Sequence, residues 1–349
     1  MPRKHHLRPR PRIFRLVLAL LLVLGFTCGC SSRTSNAPPG GEHGATAAQA
    51  QVPDQDAASV GLNELNRLRE IGGLKPVTFD ASLNTDCYAH AKYLVDQGPQ
   101  DPQEFAEYRV RLGLGAHTED PHSKYYSAAG IECTQGGEPT PGYSRSNDVA
   151  WGRDPKDDLD GLFYDAPFHR LSLLAAWATA AGYGSYGTWP MRVGVLSLRG
   201  EGGIGSPLIR FPTADSTVPV GEVRTFEVPN PLSSCAGYEL PVGLPITIQF
   251  GSGYRGHLMS YSLHGPGGPV ETCGFDWTSY RNSNATEQAH GRKSLQMFGA
   301  MVLVLREPLA NGRYDISVNT GRQTLAWSFT VEAGSSNQGQ SVSKIGPQE

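Results

Sequence analysis

The segment Asp160–Leu174 constrains the fold of this 349-residue chain more than any other stretch. Upstream of it, Asp154 and Pro155 predict a helix start, because a carboxylate caps free N–H groups and proline lacks the N–H that a first helical residue leaves unused. Pro167 predicts the end of that helix, since the residue before a proline avoids helical backbone angles. His169 would then lie at a rigid bend, where an imidazole can bind metal, relay a proton or lock a loop.

The N-terminus has the composition of an export signal. Six Arg and Lys residues precede the apolar stretch Leu16–Phe26, which is too short to span a bilayer as a stable helix. We therefore predict a signal peptide over residues 1–29. Gly29 before Cys30 resembles the bacterial lipobox, so we expect lipidation of Cys30 and a membrane anchor, with a plain signal peptide as the alternative. Residues 30–55 are mostly small or polar and predict a flexible tether.

Charge and cysteine content narrow the class of protein further. The formal net charge of −3 becomes more negative when the basic signal is removed, which argues against a nucleic-acid partner. In an oxidising compartment, the four cysteines that remain besides Cys30 predict two disulfides. Their grouping, two in each half of the chain, favours Cys87 with Cys133 and Cys235 with Cys273. The alternative is a metal site, but no two of these cysteines have the close spacing that such sites use.

Residues 56–200 read as a first domain that mixes helices and strands. The predicted elements are a helix that stops at Gly72, a helix from Asp80 to Gly98, a short helix around Phe105–Leu112, and a hairpin of strands over 178–184 and 191–198. Between the helices and the hairpin, residues 116–148 show no steady periodicity and predict a long, functional loop.

Motifs across this region resemble the CAP superfamily of cysteine-rich secretory, antigen and pathogenesis-related proteins, and most closely its bacterial branch. The motifs are Leu62–Arg69, Gly73–Val77, Asp80–Leu83, Ala89–Leu94, the segment around His117, Ala166–Arg170 and Ala181–Gly184. The resemblance implies an α+β fold, a three-layer α-β-α sandwich, over residues 56–200.

The resemblance also implies a site. CAP proteins often hold two histidines and two acidic residues around a central cavity, sometimes with a divalent metal. By motif the histidines correspond to His117 and His169, whereas the acidic positions fall on Asn147 and Ala166. Nearby carboxylates that could replace them are Asp148, Asp165 and Glu119. Two neutral imidazoles make a weak zinc site, so we expect a hydrogen-bonded pair ahead of metal binding by His117 and His169, and no other cofactor.

Residues 206–332 change in composition and predict an all-β second domain. Short alternating segments separated by Gly, Pro and Asn are typical of a β-sandwich. The candidate strands are Ile246–Phe250, Met259–Leu263, Met301–Leu305, Tyr314–Val318 and Leu325–Val331. The Leu309–Tyr314 segment resembles the tyrosine corner of immunoglobulin-like folds. Residues 333–349 predict a disordered tail.

Three functional hypotheses follow. The first is an exported, lipid-anchored protein of the bacterial cell envelope whose CAP domain binds a small apolar or envelope ligand, a lipid or a cell-wall component, without catalysis. The second is a secreted hydrolase that uses His117 and His169 as metal ligands or as acid and base. The third is a purely structural adhesion module. The chain contains no Gly-x-Ser-x-Gly, His-Glu-x-x-His or phosphate-loop motif to favour the second.

Overall fold

The structure is a computed structural model that describes residues 54–134, 144–201, 207–225 and 227–334. The chain divides into Met1–Ala50 and Gln51–Glu349, and all described residues belong to the second unit. The predicted signal peptide, Cys30, most of the tether and most of the tail lie outside the described residues. Among the described helices, none has the length and apolar character needed to cross a membrane.

Residues 54–201, here called the N-terminal half, form an α-β-α arrangement. The elements are helices α1 (Gln55–Ile71), α2 (Ala81–Gln97), α3 (Pro102–Leu112), α4 (Ala128–Thr134), α5 (Pro155–Asp160) and α6 (Pro167–Leu173), and strands β1 (Thr78–Phe79), β2 (Ser144–Ala150), β3 (Ala178–Tyr186) and β4 (Val193–Gly200). In the described part of this half, the strands form one sheet in the order β1-β3-β4-β2. Strand β1 is parallel to β3, and the other pairs are antiparallel.

The predicted helix ends and the hairpin are confirmed. The Asp80 carboxylate accepts a hydrogen bond from the Leu83 backbone N–H at 3.1 Å, so it caps α2. Helix α1 ends before Gly72 and α2 ends before Gly98. Helix α1 also begins at Gln55, so the last residue of the predicted tether is helical.

The Ala181–Gly184 motif lets helices pack closely on both faces of β3. Added Cβ atoms at Gly182 and Gly184 would lie 2.6 Å from Leu83 and 2.1 Å from the Tyr88 nitrogen, so both glycines face α2. Tyr183 between them points the other way, because side chains alternate along a strand. Its ring lies 2.7 Å from the Cβ position of Gly61 on α1. The sheet is therefore covered by α1 on one face and by α2 on the other.

Two local predictions are wrong. The first of these is the rigid bend at His169: the helical segment does end before Pro167, as predicted, but a second helix begins there. Helix α5 stops at Asp160, a π-helical turn covers Gly161–Asp165, and Pro167 is the first residue of α6. Ala166 has non-helical backbone angles (φ −117°, ψ 88°), because a residue before proline avoids the helical region, and proline at the first helical position costs no hydrogen bond. His169 consequently lies in the first turn of a helix instead of at a bend.

The second error concerns the predicted loop over residues 116–148. It begins inside a 3-10 turn (Gly113–His117), contains α4 and ends inside β2; residues 135–143 lie outside the described residues. The disulfide Cys87–Cys133 ties α4 to α2, which stabilises a helix too short to persist alone.

Residues 207–334, here called the C-terminal half, are rich in β-strands. The strands are β5 (Ile209–Phe211), β6 (Thr217–Val218), β7 (Glu222–Val223), β8 (Val242–Gly243), β9 (Ile246–Gln249), β10 (Ser260–Gly265), β11 (Gly268–Pro269), β12 (Thr272–Asp276), β13 (Ala300–Leu305), β14 (Gly312–Asn319) and β15 (Thr324–Val331). Within the described residues they form sheets ordered β11-β10-β14-β15-β6 and β12-β13-β9-β5, and a β7-β8 pair. The five predicted strands are confirmed, as is the second disulfide, Cys235–Cys273.

Helix α7 (Ala285–Phe298) was not predicted in this region. Asn284 caps it by accepting hydrogen bonds from the Thr286 and Glu287 backbone N–H groups, and Gly299 follows its end. A capping residue with Glu three positions later was the signal for this helix. The Tyr314 hydroxyl donates to the Ala310 carbonyl at 2.8 Å, as in a tyrosine corner. The immunoglobulin-like class itself stays a prediction.

One hydrophobic core runs through both halves. The same cluster holds Leu65 and Phe163 of the N-terminal half and Ile246 and Phe329 of the C-terminal half. A separate cluster lies between the sheet and α2, α3 and α4. Arg170 on α6 connects the halves directly, because its guanidinium donates to the Pro245 carbonyl at 2.7 Å.

Candidate functional site

The two predicted histidines meet where the 3-10 turn approaches α6. His117 is the last residue of that turn, and His169 is the third residue of α6. Their ring centroids are 5.9 Å apart, with 27° between the ring planes. The pair predicted from motif order is therefore present in the structure.

His117 is held as a neutral ring with a defined tautomer. Its Nδ1 lies 2.7 Å from Asn147 Oδ1, while Asn147 Nδ2 donates to the Thr134 carbonyl at 2.7 Å. Since the Asn147 oxygen faces the ring, His117 Nδ1 carries the proton and donates it, which leaves a lone pair on Nε2. Burial first, and then the positive charge of His169, lower the pKa of His117 to about 3. An amide in place of the family's carboxylate supplies no negative charge to oppose them.

His169 has the opposite character because a carboxylate holds it. Its Nδ1 lies 2.7 Å from Glu227 Oε2, and its side chain is only 12% exposed. Burial on its own lowers the pKa of His169, but the hydrogen bond and charge of Glu227, together with Asp148, outweigh burial and raise it. The pair therefore combines a neutral His117 with a His169 whose protonated form Glu227 favours.

The sequence interpretation missed Glu227. It lies 58 positions beyond His169, in the region predicted as a separate β domain, and no motif distinguishes it. The carboxylate also accepts from the Phe168 backbone N–H at 2.8 Å and from the His169 backbone N–H at 3.1 Å. It thereby caps α6, a role that Ala166 at the N-cap position cannot perform.

Asp148 is the second carboxylate close to the pair. It is buried in β2 and accepts a hydrogen bond from the Ser172 hydroxyl at 2.7 Å. Burial raises its pKa to about 6, although His169 and Ser172 lower it in part. On the C-terminal side, α7 brings His290 near, where partial burial and then the charge of His169 lower the pKa of His290.

The other proposed cavity residues lie elsewhere. Glu119 Oε1 is 3.1 Å from His90 Nδ1, and Glu119 Oε2 accepts from the Ser127 backbone N–H at 2.8 Å. His90 Nε2 contacts the Ala116 carbonyl at 2.8 Å, so Glu119 and His90 support the turn that carries His117. Asp165 hydrogen-bonds Thr225, and burial raises its pKa to about 6. It lines a surface groove of about 560 Å³ beside α5.

The geometry bears on metal binding. In the described ranges, no three or more His, Cys, Asp or Glu side chains are grouped so as to hold a metal ion. Glu227 also disfavours metal binding by His169, because it favours the protonated ring and a metal needs the neutral one. The pair offers a lone pair at His117 Nε2 and, when His169 is protonated, an N–H donor at His169 Nε2.

Comparison with known proteins identifies the class of the N-terminal half. The sequence model of the Cysteine-rich secretory protein family, CAP, matches residues 62–195. This chain therefore contains a CAP domain, in agreement with the motifs and with the α-β-α arrangement.

Nothing among the curated proteins matches the chain. Among solved structures, it is similar to selenomethionine PcoC, a copper resistance protein from Escherichia coli, at 18% identity. The alignment covers 35% of this chain and 95% of that one with a TM-score of 0.19, which is too low to carry an argument.

Proposed function

We propose that this protein is a cell-envelope lipoprotein whose CAP domain binds a small ligand of the envelope without catalysis. The observation that carries the proposal is the meeting of His117 and His169 at one site, where burial lowers the pKa of His117 and Glu227 raises that of His169. His117 Nε2 can accept a hydrogen bond, and the protonated form of His169 that Glu227 favours can donate one. A hydroxyl group satisfies both, so a lipid or cell-wall molecule with a hydroxyl-bearing head fits the pair.

The same protonation states favour binding over hydrolysis. A general base works best when its pKa is near the working pH, and a pKa of about 3 leaves His117 with little driving force to take a proton. The Ser172 hydroxyl, which could act as a nucleophile, donates to Asp148 instead of to an imidazole. A serine needs an adjacent base to become nucleophilic, and neither histidine of the pair accepts the Ser172 proton.

The experiment is native mass spectrometry of the full-length protein extracted from membranes in mild detergent. We expect a ligand-loaded species in the wild type that is lost in His117→Ala. The matched control is His264→Ala, because His264 is exposed on β10 and lies outside the site. Equal loading of His117→Ala and wild type would contradict the proposed site.

The anchor is tested separately. Cys30→Ser should move the protein from the detergent phase into the aqueous phase, because a lipid chain buries apolar surface in a membrane. Unchanged partition would rule out the lipoprotein assignment and leave ligand binding to stand on its own measurement.

A further inference from the structure

We infer that the ligand site is completed by the C-terminal half, with Glu227 as the positioning residue that holds His169 as a hydrogen-bond donor. The part that concerns the ligand rests on the proposed function. The part that concerns His169 does not, and it can be measured without any ligand.

A single carboxylate makes three contacts at the start of α6. Its oxygens accept from two backbone N–H groups, of Phe168 and His169, and Oε2 also meets the His169 ring. The Glu227 side chain is 2% exposed. Burying a carboxylate is unfavourable unless new hydrogen bonds replace those that it made to water, and these three contacts do so. The arrangement fixes the position of the imidazole and its tautomer together.

The residues on either side of His169 also contact the C-terminal half, and these contacts hold α6 next to Glu227. The preceding ring, Phe168, packs against Phe275 and Tyr280 of the C-terminal half, with centroid distances of 6.2 and 5.3 Å. The following residue, Arg170, donates to the Pro245 carbonyl. Three consecutive residues of α6 thus contact the C-terminal half, so the helix is seated against it along its first turn.

Among the described residues of the N-terminal half, no carboxylate is hydrogen-bonded to the His169 ring. Asn147 and Ala166 occupy the places where the resemblance implies acids, and Asp148 is engaged by Ser172. Without the hydrogen bond and charge of Glu227, only Asp148 would oppose the burial that lowers the pKa of His169, and the ring would lose the contact that fixes its tautomer. The C-terminal half therefore contributes a residue to the site besides supporting the fold.

The test is Glu227→Gln in the full-length protein, because glutamine keeps the size of the side chain and removes its charge. NMR of 13C-labelled histidine, assigned with His169→Ala, gives the titration midpoint of His169. We expect that midpoint to fall in Glu227→Gln and to recover at least partly in Glu227→Asp. The matched control, Glu271→Gln, changes an exposed glutamate on the same half and should leave the midpoint unchanged. An unchanged midpoint in Glu227→Gln would overturn the inference.

A structural role alone would lower the melting temperature without moving the midpoint, so the titration separates the two roles. The ligand arm uses the mass spectrometry described above. Loss of the ligand-loaded species in Glu227→Gln, with circular dichroism like that of the wild type, supports a composite site. Equal loading in Glu227→Gln and wild type refutes it. A wild type with no bound ligand would count against the proposed function, whereas the titration would still decide the role of Glu227.

Discussion

Arg170 should be one of the most sensitive positions of the folded protein, and the structure allows the effect to be estimated. Its side chain is fully buried, and it donates to the carbonyls of Phe163, Tyr164 and Pro245. The guanidinium also lies 4.4 Å from the centroid of the Phe211 ring. Burial lowers the pKa of Arg170 to about 9, because removing a charged guanidinium from water is unfavourable.

Arg170→Met keeps most of the volume and removes every donor. Each of three buried carbonyls left without a partner costs about 1–3 kcal/mol. Removing the buried charge returns part of that cost, as replacement of buried ionic groups by apolar ones often does. We therefore expect a net loss of about 4 kcal/mol in the free energy of unfolding.

The assay is urea unfolding followed by circular dichroism and by tryptophan fluorescence. Because the halves share one core, both signals should shift together and give one transition. Arg313→Met is the control, since that side chain is 63% exposed and its replacement should change stability by less than about 0.5 kcal/mol. A loss below about 1 kcal/mol in Arg170→Met would refute the reasoning that these three buried contacts, of which the one to Pro245 joins the halves, stabilise the fold.

Three further predictions concern a disulfide, a buried acid and metal. Cys235→Ala removes a disulfide whose cysteines are 38 positions apart, and the chain-entropy model gives a loss of about 4 kcal/mol in the free energy of unfolding. Thermal unfolding measures this loss, and a change below about 1 kcal/mol would contradict the prediction. The pKa of Asp148 is about 6 in the folded protein, against 3.8 for an ordinary aspartate, so the folded state binds the proton more tightly than the unfolded state. Protonation of Asp148 therefore stabilises the fold at low pH, and this stability is lost as the pH rises through 6. Asp148→Asn should therefore be more stable than the wild type, by up to about 3 kcal/mol at pH 7.5 and by less at pH 4.5. Urea unfolding at both pH values measures the two differences, and equal differences would argue against a raised pKa of Asp148. Metal analysis of the purified full-length protein should find no stoichiometric zinc, because two histidines are fewer than the three or four protein ligands that zinc sites use. One zinc per chain, lost in His169→Ala, would show the opposite.

Much of the fold could be predicted because local chemistry decides it. Asp80 and Gly98 mark the ends of α2 by capping and by backbone freedom, and alternation along Tyr314–Val318 is enough to identify β14. The within-half disulfides followed from cysteine grouping. The π-helical turn at Gly161–Asp165 could not be predicted, because its extra residue is accommodated by tertiary contacts that leave no periodic signature.

The candidate site was predicted only as far as its motifs extend. The motifs identify three of the site residues, and the structure places their side chains next to one another: His117, His169 and Asn147. Glu227 could not be found, since its role depends on how the C-terminal half docks onto α6. Glu119 was one of the carboxylates that could replace the missing acids, but its side chain contacts the buried His90 instead.

The continuous core has a consequence for how this protein can change over generations. Aromatic contacts join the halves, with Phe163 and Phe211 rings 4.6 Å apart and Phe168 and Phe275 rings 6.2 Å apart. A larger or smaller ring on one side leaves a clash or a void that only its neighbour across the junction can correct. Substitutions at these positions should accordingly be inherited in pairs, and a CAP domain from a relative should not graft onto this C-terminal half without its matching aromatic residues.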